Sequence, residues 1–346
     1  FVTLRDVTLL FSNHETITIR CAEEETIVQA ANRHGLKLLV DCREGACGTC
    51  KASCQTGEFL LDDFSADALP PAERSSGFVL ACRMSPRSDC VIEFNYPLAQ
   101  ARRGKAPLPR SVTITRLEPI AADVIELRVA TDDGKPFDFL PGQYAHLDVP
   151  GQNVSRSYSF AMPPGENEAV FAIRLVTGGE MSGWLSGHAR PGDKMRVSGP
   201  YGRFFLRRAD RSLLMVAGGT GIGPMLSMLE TLTRSSTPPD SVTVVFGVTI
   251  GENIFYQERL AACLAQFAQA SAMIVAMHAG VGWSGLRGTT VDALSRVEIS
   301  PASHAYLCGP PGMIEATRAW LHEAGMKDNE IFAEAFLPTH KVQAGS

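Results

Sequence analysis

Four cysteines define the first chemistry open to this chain. Cys42, Cys47 and Cys50 stand at C-x4-C-x2-C spacing in the stretch 41–50, and Cys82 follows after a gap of 31 residues. Thiolates so spaced are the ligand set of a plant-type [2Fe–2S] cluster. Gly45 and Gly48 allow the loop to turn backbone N–H groups toward charged sulfurs without a Cβ in the way. A zinc site would ask for a second C-x2-C pair. A disulfide framework suits a short secreted domain, not 346 residues with nine cysteines, an odd number. Cys21, Cys54, Cys90 and Cys263 fit no ligand spacing and read as core or surface thiols, Cys54 being the one near the loop.

Three further stretches carry chemistry. Arg156-Ser157-Tyr158-Ser159 offers a fixed cation for a pyrophosphate, an aromatic face for an isoalloxazine and a hydroxyl for flavin N5. About twenty residues on, Gly178-Gly179-Glu180-Met181-Ser182 opens a helix, where free N–H groups and the Ser182 hydroxyl suit phosphates. Gly218-Gly219-Thr220-Gly221-Ile222-Gly223-Pro224 follows a strand and opens a helix. It is not the G-x-G-x-x-G fingerprint, since Pro224 holds the third glycine's place, but Pro suits a first helical turn. Cys308-Gly309-Pro310-Pro311-Gly312-Met313 also follows a strand, and two such turns on one sheet edge make a ligand crevice. The stretch 247–253 contains no Lys or Arg for a 2′-phosphate, and Glu252 is placed to accept from a ribose hydroxyl; both favour NADH over NADPH.

The elements that must position these residues fall into blocks. The length predicts two or three domains, and 45% hydrophobic with 20% charged residues is ordinary for a globular chain. Residues 1–97 carry 14 acidic against 9 basic side chains and the remainder is balanced, so the net charge of −5 lies on the cysteine-bearing block. That argues against nucleic acid as a partner and suits a face steering toward a basic patch on another protein. No run approaches the roughly 20 apolar residues of a membrane span. No secretory signal opens the chain, and a reduced, cytoplasmic setting is expected.

In order, two alternating runs around Ser12-Asn13-His14 predict a hairpin, and Glu23-Glu24-Glu25-Thr26 a helix start, stopped by His34-Gly35. Val91-Ile92-Glu93-Phe94 predicts a closing strand. Residues 98–110, rich in Ala, Arg, Lys and Pro, predict a linker. Short alternating strands with Pro-Gly turns over 111–208 predict a closed antiparallel barrel. From 209 to 340, helices at 225–234, 254–269 and 312–324 alternating with strands at 242–246, 272–277 and 304–308 predict a parallel sheet; 341–346 is a tail.

Taken together, the cysteine loop, Arg-Ser-Tyr-Ser, Gly-Gly-Thr-Gly and Cys-Gly-Pro-Pro-Gly-Met resemble the ferredoxin–NAD reductase components of bacterial multicomponent oxygenases, over essentially the whole chain. Cys42–Lys51, Ala68-Leu69-Pro70-Pro71, the run 154–159 and Phe336-Leu337-Pro338 look most like the reductases of soluble methane and propane (diiron) monooxygenases. Benzoate-type dioxygenase reductases are the near neighbour. The resemblance implies a multidomain α+β and α/β fold: a β-grasp [2Fe–2S] ferredoxin, an FAD-binding barrel and a Rossmann-like NAD domain. It implies Arg156, Ser157, Tyr158 and Ser159 on FAD, with Gly179 and Ser182 at its phosphates. It further implies Gly219, Thr220, Gly221, Gly309 and Pro310 at NADH, Cys308 beside the nicotinamide and Phe336 near the flavin.

The expected activity is an NADH:acceptor oxidoreductase passing hydride to FAD N5 and single electrons to the cluster. The chain has neither a Glu-x-x-His pair nor a Cys-x-His of a Rieske pair. Oxygen chemistry is therefore expected on a separate hydroxylase, diiron by the resemblance, with a Rieske dioxygenase as the alternative.

Overall fold

A computed structural model of the chain describes residues 3–12, 14–103, 109–202, 204–207, 211–280, 282–297 and 303–336. Val2, Asn13, the middle of the expected linker, Leu337, Pro338 and the tail lie outside the described residues. The chain divides into two compact units, Phe1–Leu108 with Tyr201–Arg203, and Pro109–Pro200 with Phe204–Ser346. No helix among the described residues is long and apolar enough to cross a membrane.

The first unit opens with the expected hairpin, β1 (Leu4–Phe11) and β2 (Thr16–Ala22). Alternation puts Val7, Leu9 and Phe11 into the core, at most 1% exposed. Helix α1 (Ile27–Arg33) starts later than the triple Glu suggested. Thr26 takes the Gln29 N–H and Gln29 answers the Thr26 N–H, a capping box that sets the boundary after the acids. Glu25 pairs instead with Arg33 at 2.7 Å. The chain continues through β3 (Leu36–Lys37), β4 (Lys51–Thr56), β5 (Phe59–Leu61), α2 (Pro71–Ser75), β6 (Phe78–Leu80), β7 (Met84–Pro86) and β8 (Cys90–Phe94). The main sheet runs β2-β1-β8-β4-β6, with β8 parallel to β1, which is the β-grasp arrangement. Ala101 joins this core and β9 (Arg102–Arg103) pairs with β3, so the unit extends past Pro97 into the stretch read as linker.

The second unit begins with β10 (Arg110–Ala121), β11 (Val124–Thr131), β12 (Tyr144–Asp148), β13 (Ser155–Ser159), β14 (Glu168–Arg174), α3 (Glu180–Gly187) and β15 (Lys194–Tyr201). Their order is β13-β12-β15-β10-β11-β14, and the two ends meet where Ala161 N donates to Val170 O at 2.8 Å. The inward positions, among them Leu127, Leu147, Phe160 and Phe171, fill the barrel.

The remainder is an all-parallel sheet. It comprises β16 (Leu213–Gly218), α4 (Ile222–Thr233), β17 (Val242–Ile250), α5 (Gln257–Leu264), β18 (Ala270–His278), β19 (Leu286–Arg287), α6 (Thr290–Leu294), β20 (His304–Gly309), α7 (Pro311–Glu323) and β21 (Ile331–Ala335). The order is β19-β18-β17-β16-β20-β21. Winding reverses between β16 and β20, and at such a switch point the strands' carboxyl ends open a crevice. The helix expected over 254–269 is shorter at both ends: α5 begins only after Tyr256, which takes a left-handed conformation, and stops at Leu264.

Candidate functional site

Three clusters of residues carry the candidate site, each fixed by its own element. The cysteine loop links β3 to β4. Arg43, Gly45 and Gly48 have φ of 60°, 74° and 67°, and these left-handed steps curl the loop around its thiols. A Cβ on Gly45 would lie 2.7 Å from Phe64 Cβ and 2.9 Å from Arg83 Cγ, so this turn closes only on glycine. The four side chains converge as two hydrogen-bonded pairs, Cys42 with Cys47 and Cys50 with Cys82. The pairs also feel each other's charge, Cys42 acting on Cys82 and Cys47 on Cys50.

Backbone N–H groups point inward at the sulfurs: Glu44 and Ala46 at 3.4 and 3.3 Å from Cys42 Sγ, and Cys82 N at 3.4 Å from Cys50 Sγ. The Cys47 thiol and the Glu44, Ala46 and Cys47 N–H groups pull the Cys42 thiol down to about 5. Cys50 does the same for Cys82, helped by the Gly45 N–H, while Cys47 and Cys50 are pushed up by those partners and by burial. Two close thiol pairs, each with backbone N–H dipoles at a sulfur, suit the ligands of an iron–sulfur cluster carrying negative charge on its sulfurs. Cys54 does not turn to this loop. It hydrogen-bonds Cys90, and Cys21 and Cys90 are buried in the core.

The flavin candidate residues lie on β13 and α3. Alternation along β13 separates Arg156 and Tyr158 from Ser157 and Ser159. Tyr158 packs on the barrel core, and burial pushes its phenol up. Arg156 reaches α3 and pairs with Glu180 at 2.7 Å. Ser157 is drawn aside to His146 Nδ1 at 3.0 Å on the neighbouring strand. Gly179 is the N-cap of α3, no side chain caps it, and a Cβ there would lie 2.7 Å from Val176 Cγ2. Ser182 is buried and accepts from Val176 N at 2.9 Å, which folds the incoming loop onto the helix start. A cation facing an uncapped helix start, with a half-buried aromatic two residues along, fits a dinucleotide's pyrophosphate and ring.

The two glycine turns meet at the switch point. Ala217 of β16 pairs with Cys308 of β20. A Cβ on Gly309 would lie 3.0 Å from Gly218 Cα, and one on Gly221 would overlap the Cys308 carbonyl. Gly219 has φ 54°, and Thr220 completes the turn into α4, where Pro224 is buried in the first helical turn. Gly218 also lies under Met313 Sδ and Pro310 Cδ, at 2.7 and 2.8 Å from an added Cβ. This packing role of Met313 is not legible from the motif's spacing. Cys308 is fully buried, which pushes its thiol up. Phe336 N donates to Gly309 O at 2.9 Å, bringing the half-buried Phe336 to the same edge.

Barrel and sheet touch here. A Cβ on Gly223 would lie 3.2 Å from that of Ala161, two residues past Ser159. Glu252 follows β17 on the same carboxyl edge and packs against Gly280, beyond β18.

Comparison with known proteins matches three family models in turn. Residues 10–87 match the 2Fe-2S iron-sulfur cluster binding domain, 111–206 the oxidoreductase FAD-binding domain and 215–319 the oxidoreductase NAD-binding domain. The chain is 35% identical to the 2-halobenzoate 1,2-dioxygenase electron transfer component of Burkholderia cepacia, over 97% of this chain and 99% of that protein. It is 31% identical to the propane 2-monooxygenase reductase component of Mycolicibacterium goodii, over 91% and 92%. Among solved structures, a cytochrome P450 reductase from Amycolatopsis superposes with a TM-score of 0.72 at 27% identity, covering 96% of this chain and 99% of that one. With its cysteine loop, barrel and glycine-edged sheet matched end to end, the chain belongs to the family of iron–sulfur flavoprotein reductases, the NADH-oxidising electron-transfer components of multicomponent oxygenases.

Proposed function

We propose that this chain delivers electrons from NADH to the hydroxylase of a soluble diiron monooxygenase, through its cysteine loop, flavin barrel and nucleotide-binding sheet. When bound, the flavin takes an electron pair from the nicotinamide and the cluster carries electrons singly. The side chains do the rest. Arg156 and the start of α3, with Gly179 and Ser182, hold the flavin phosphates. Tyr158 would supply an aromatic face for the flavin ring, and Ser159 a hydroxyl to hydrogen-bond it. Gly219, Thr220 and Gly221 admit the NADH pyrophosphate, opposite Gly309 and Pro310. Cys308 would line the place of the nicotinamide, and Phe336 would shield the flavin. Glu252 selects NADH, since a carboxylate repels a 2′-phosphate and accepts from a ribose hydroxyl. Cys42, Cys47, Cys50 and Cys82 bind iron. The observation that carries the reading is the close contact of the two glycine turns, with α4 abutting the residue two past Ser159.

The diiron partner is supported by the cysteine-loop and Ala68-Leu69-Pro70-Pro71 resemblance and by the similarity to a propane monooxygenase reductase. A Rieske ring dioxygenase is the second reading, favoured by the 35% identity to a 2-halobenzoate dioxygenase component. NADH-driven turnover with each purified oxygenase class separates them. Hydroxylation with a diiron hydroxylase and none with a Rieske oxygenase is expected, and the reverse result transfers the assignment.

A further inference from the structure

Between β17 and α5 the chain makes one 3-10 turn, Gly251–Asn253, and enters the helix at Tyr256. Tyr256 has φ 58° and ψ 17°, a left-handed conformation that sterics disfavour in any residue bearing a Cβ. No side chain caps α5, and the Tyr256 carbonyl accepts its first helical bond, from Leu260 N at 2.9 Å. The partners that hold Tyr256 include groups on the barrel. Its hydroxyl donates to Glu126 Oε2 on β11 at 2.5 Å. Glu126 is only 5% exposed, and its other oxygen takes Arg128 at 2.7 Å. The Tyr256 ring lies 5.2 Å from the Arg259 guanidinium. Arg259 in turn pairs with Glu230 of α4 at 2.6 Å and donates to Ala161 O, two residues past Ser159. A longer tie joins the same loop to the barrel, Asn253 Nδ2 to Asp123 Oδ1 at 3.5 Å. A phenylalanine would fill the same volume. A buried carboxylate, matched by arginines and spent on one phenol, is more than packing requires.

We propose that Tyr256 is a positioning residue for nucleotide use. Its bond to Glu126 latches the loop bearing Glu252 to the flavin-binding barrel, so Glu252 is held where the nucleotide's ribose is met. This rests on the reading of Glu252 given above.

The test measures flavin reduction by NADH and by NADPH in the holoprotein. In Tyr256→Phe the half-saturating NADH concentration is expected to rise about tenfold, equivalent to about 1.4 kcal/mol. The limiting rate and FAD content should stay within about twofold, because no reacting atom is touched. Tyr256→Asn tolerates the left-handed backbone but cannot reach Glu126, and the same loss is expected; it also serves if the Phe variant does not fold. Normal NADH binding by the Asn variant would show that backbone strain, not the bond, was at work, and would overturn the latch. So would a Phe variant that loses FAD and thermal stability with unchanged half-saturation. Glu252→Ala keeps the two readings apart. If it shifts the NADH:NADPH ratio while Tyr256→Phe is silent, only the latch is lost. If it is silent itself, the loop has no nucleotide role and the latch goes with it.

Discussion

Gly221 and Cys82 show how differently single residues carry this site. The Cys308 carbonyl occupies the space a Gly221 side chain would need, and it is backbone, so nothing flexible can yield. Gly221→Ala is expected to cost about 1–3 kcal/mol of stability by overpacking and to weaken NADH binding. Thermal unfolding of the holoprotein with and without NADH checks both effects. Cys82 acts by chemistry instead. Cys82→Ser removes one thiolate of four, and the red-brown absorbance is expected to vanish. NADH–ferricyanide turnover, which needs only the flavin and nucleotide pockets, should persist within about threefold, as for a site acting independently. If ferricyanide turnover fell in parallel with the cluster, those pockets would not be separable.

At the scale of elements, the strands and glycine turns were legible because their chemistry is written in short, rigid spacings. Four thiolates and two Gly-rich turns leave few alternatives, and alternation along β10 to β15 gave the barrel. Several things were not legible. Thr26 outcompetes the triple Glu for the start of α1 through a side-chain bond to Gln29, a local geometry that composition does not reveal. The short β19, α6 and β21 are held by tertiary packing rather than by a repeat long enough to see. Alternation along β13 sets Ser157 and Ser159 on the side opposite Arg156 and Tyr158, but that Ser157 meets His146 depends on the strand pairing. Tyr256 has no sequence signal, because the partner of its hydroxyl, Glu126, lies 130 residues away.

That pair also carries a pH dependence. Burial alone would raise the Glu126 carboxyl, but the Tyr256 hydroxyl and the Arg128 guanidinium override it and hold it below its ordinary value. A depressed folded-state pKa gives stability that is present above the unfolded pKa, near 4.3, and lost as pH falls through the folded one. Glu126→Gln is therefore expected to be less stable at neutral pH. It should also lose less stability between about pH 5 and 3. Urea unfolding across that range checks the sign, and a variant with the parent's slope would contradict it.

For the whole molecule, the matched family models run in the order iron–sulfur, flavin, nucleotide along one chain. Acidic bias on residues 1–97 leaves the remainder neutral, so association with a basic oxygenase surface is expected to weaken steeply with salt while NADH–ferricyanide turnover does not. The most direct test is anaerobic rapid mixing of the holoprotein with NADH, following the yellow flavin and red-brown cluster absorbances separately. Flavin bleaching first, cluster bleaching second, and only the first step surviving in Cys82→Ser is the expected result. Cluster bleaching that precedes the flavin, or NADH leaving both colours untouched, would contradict the account.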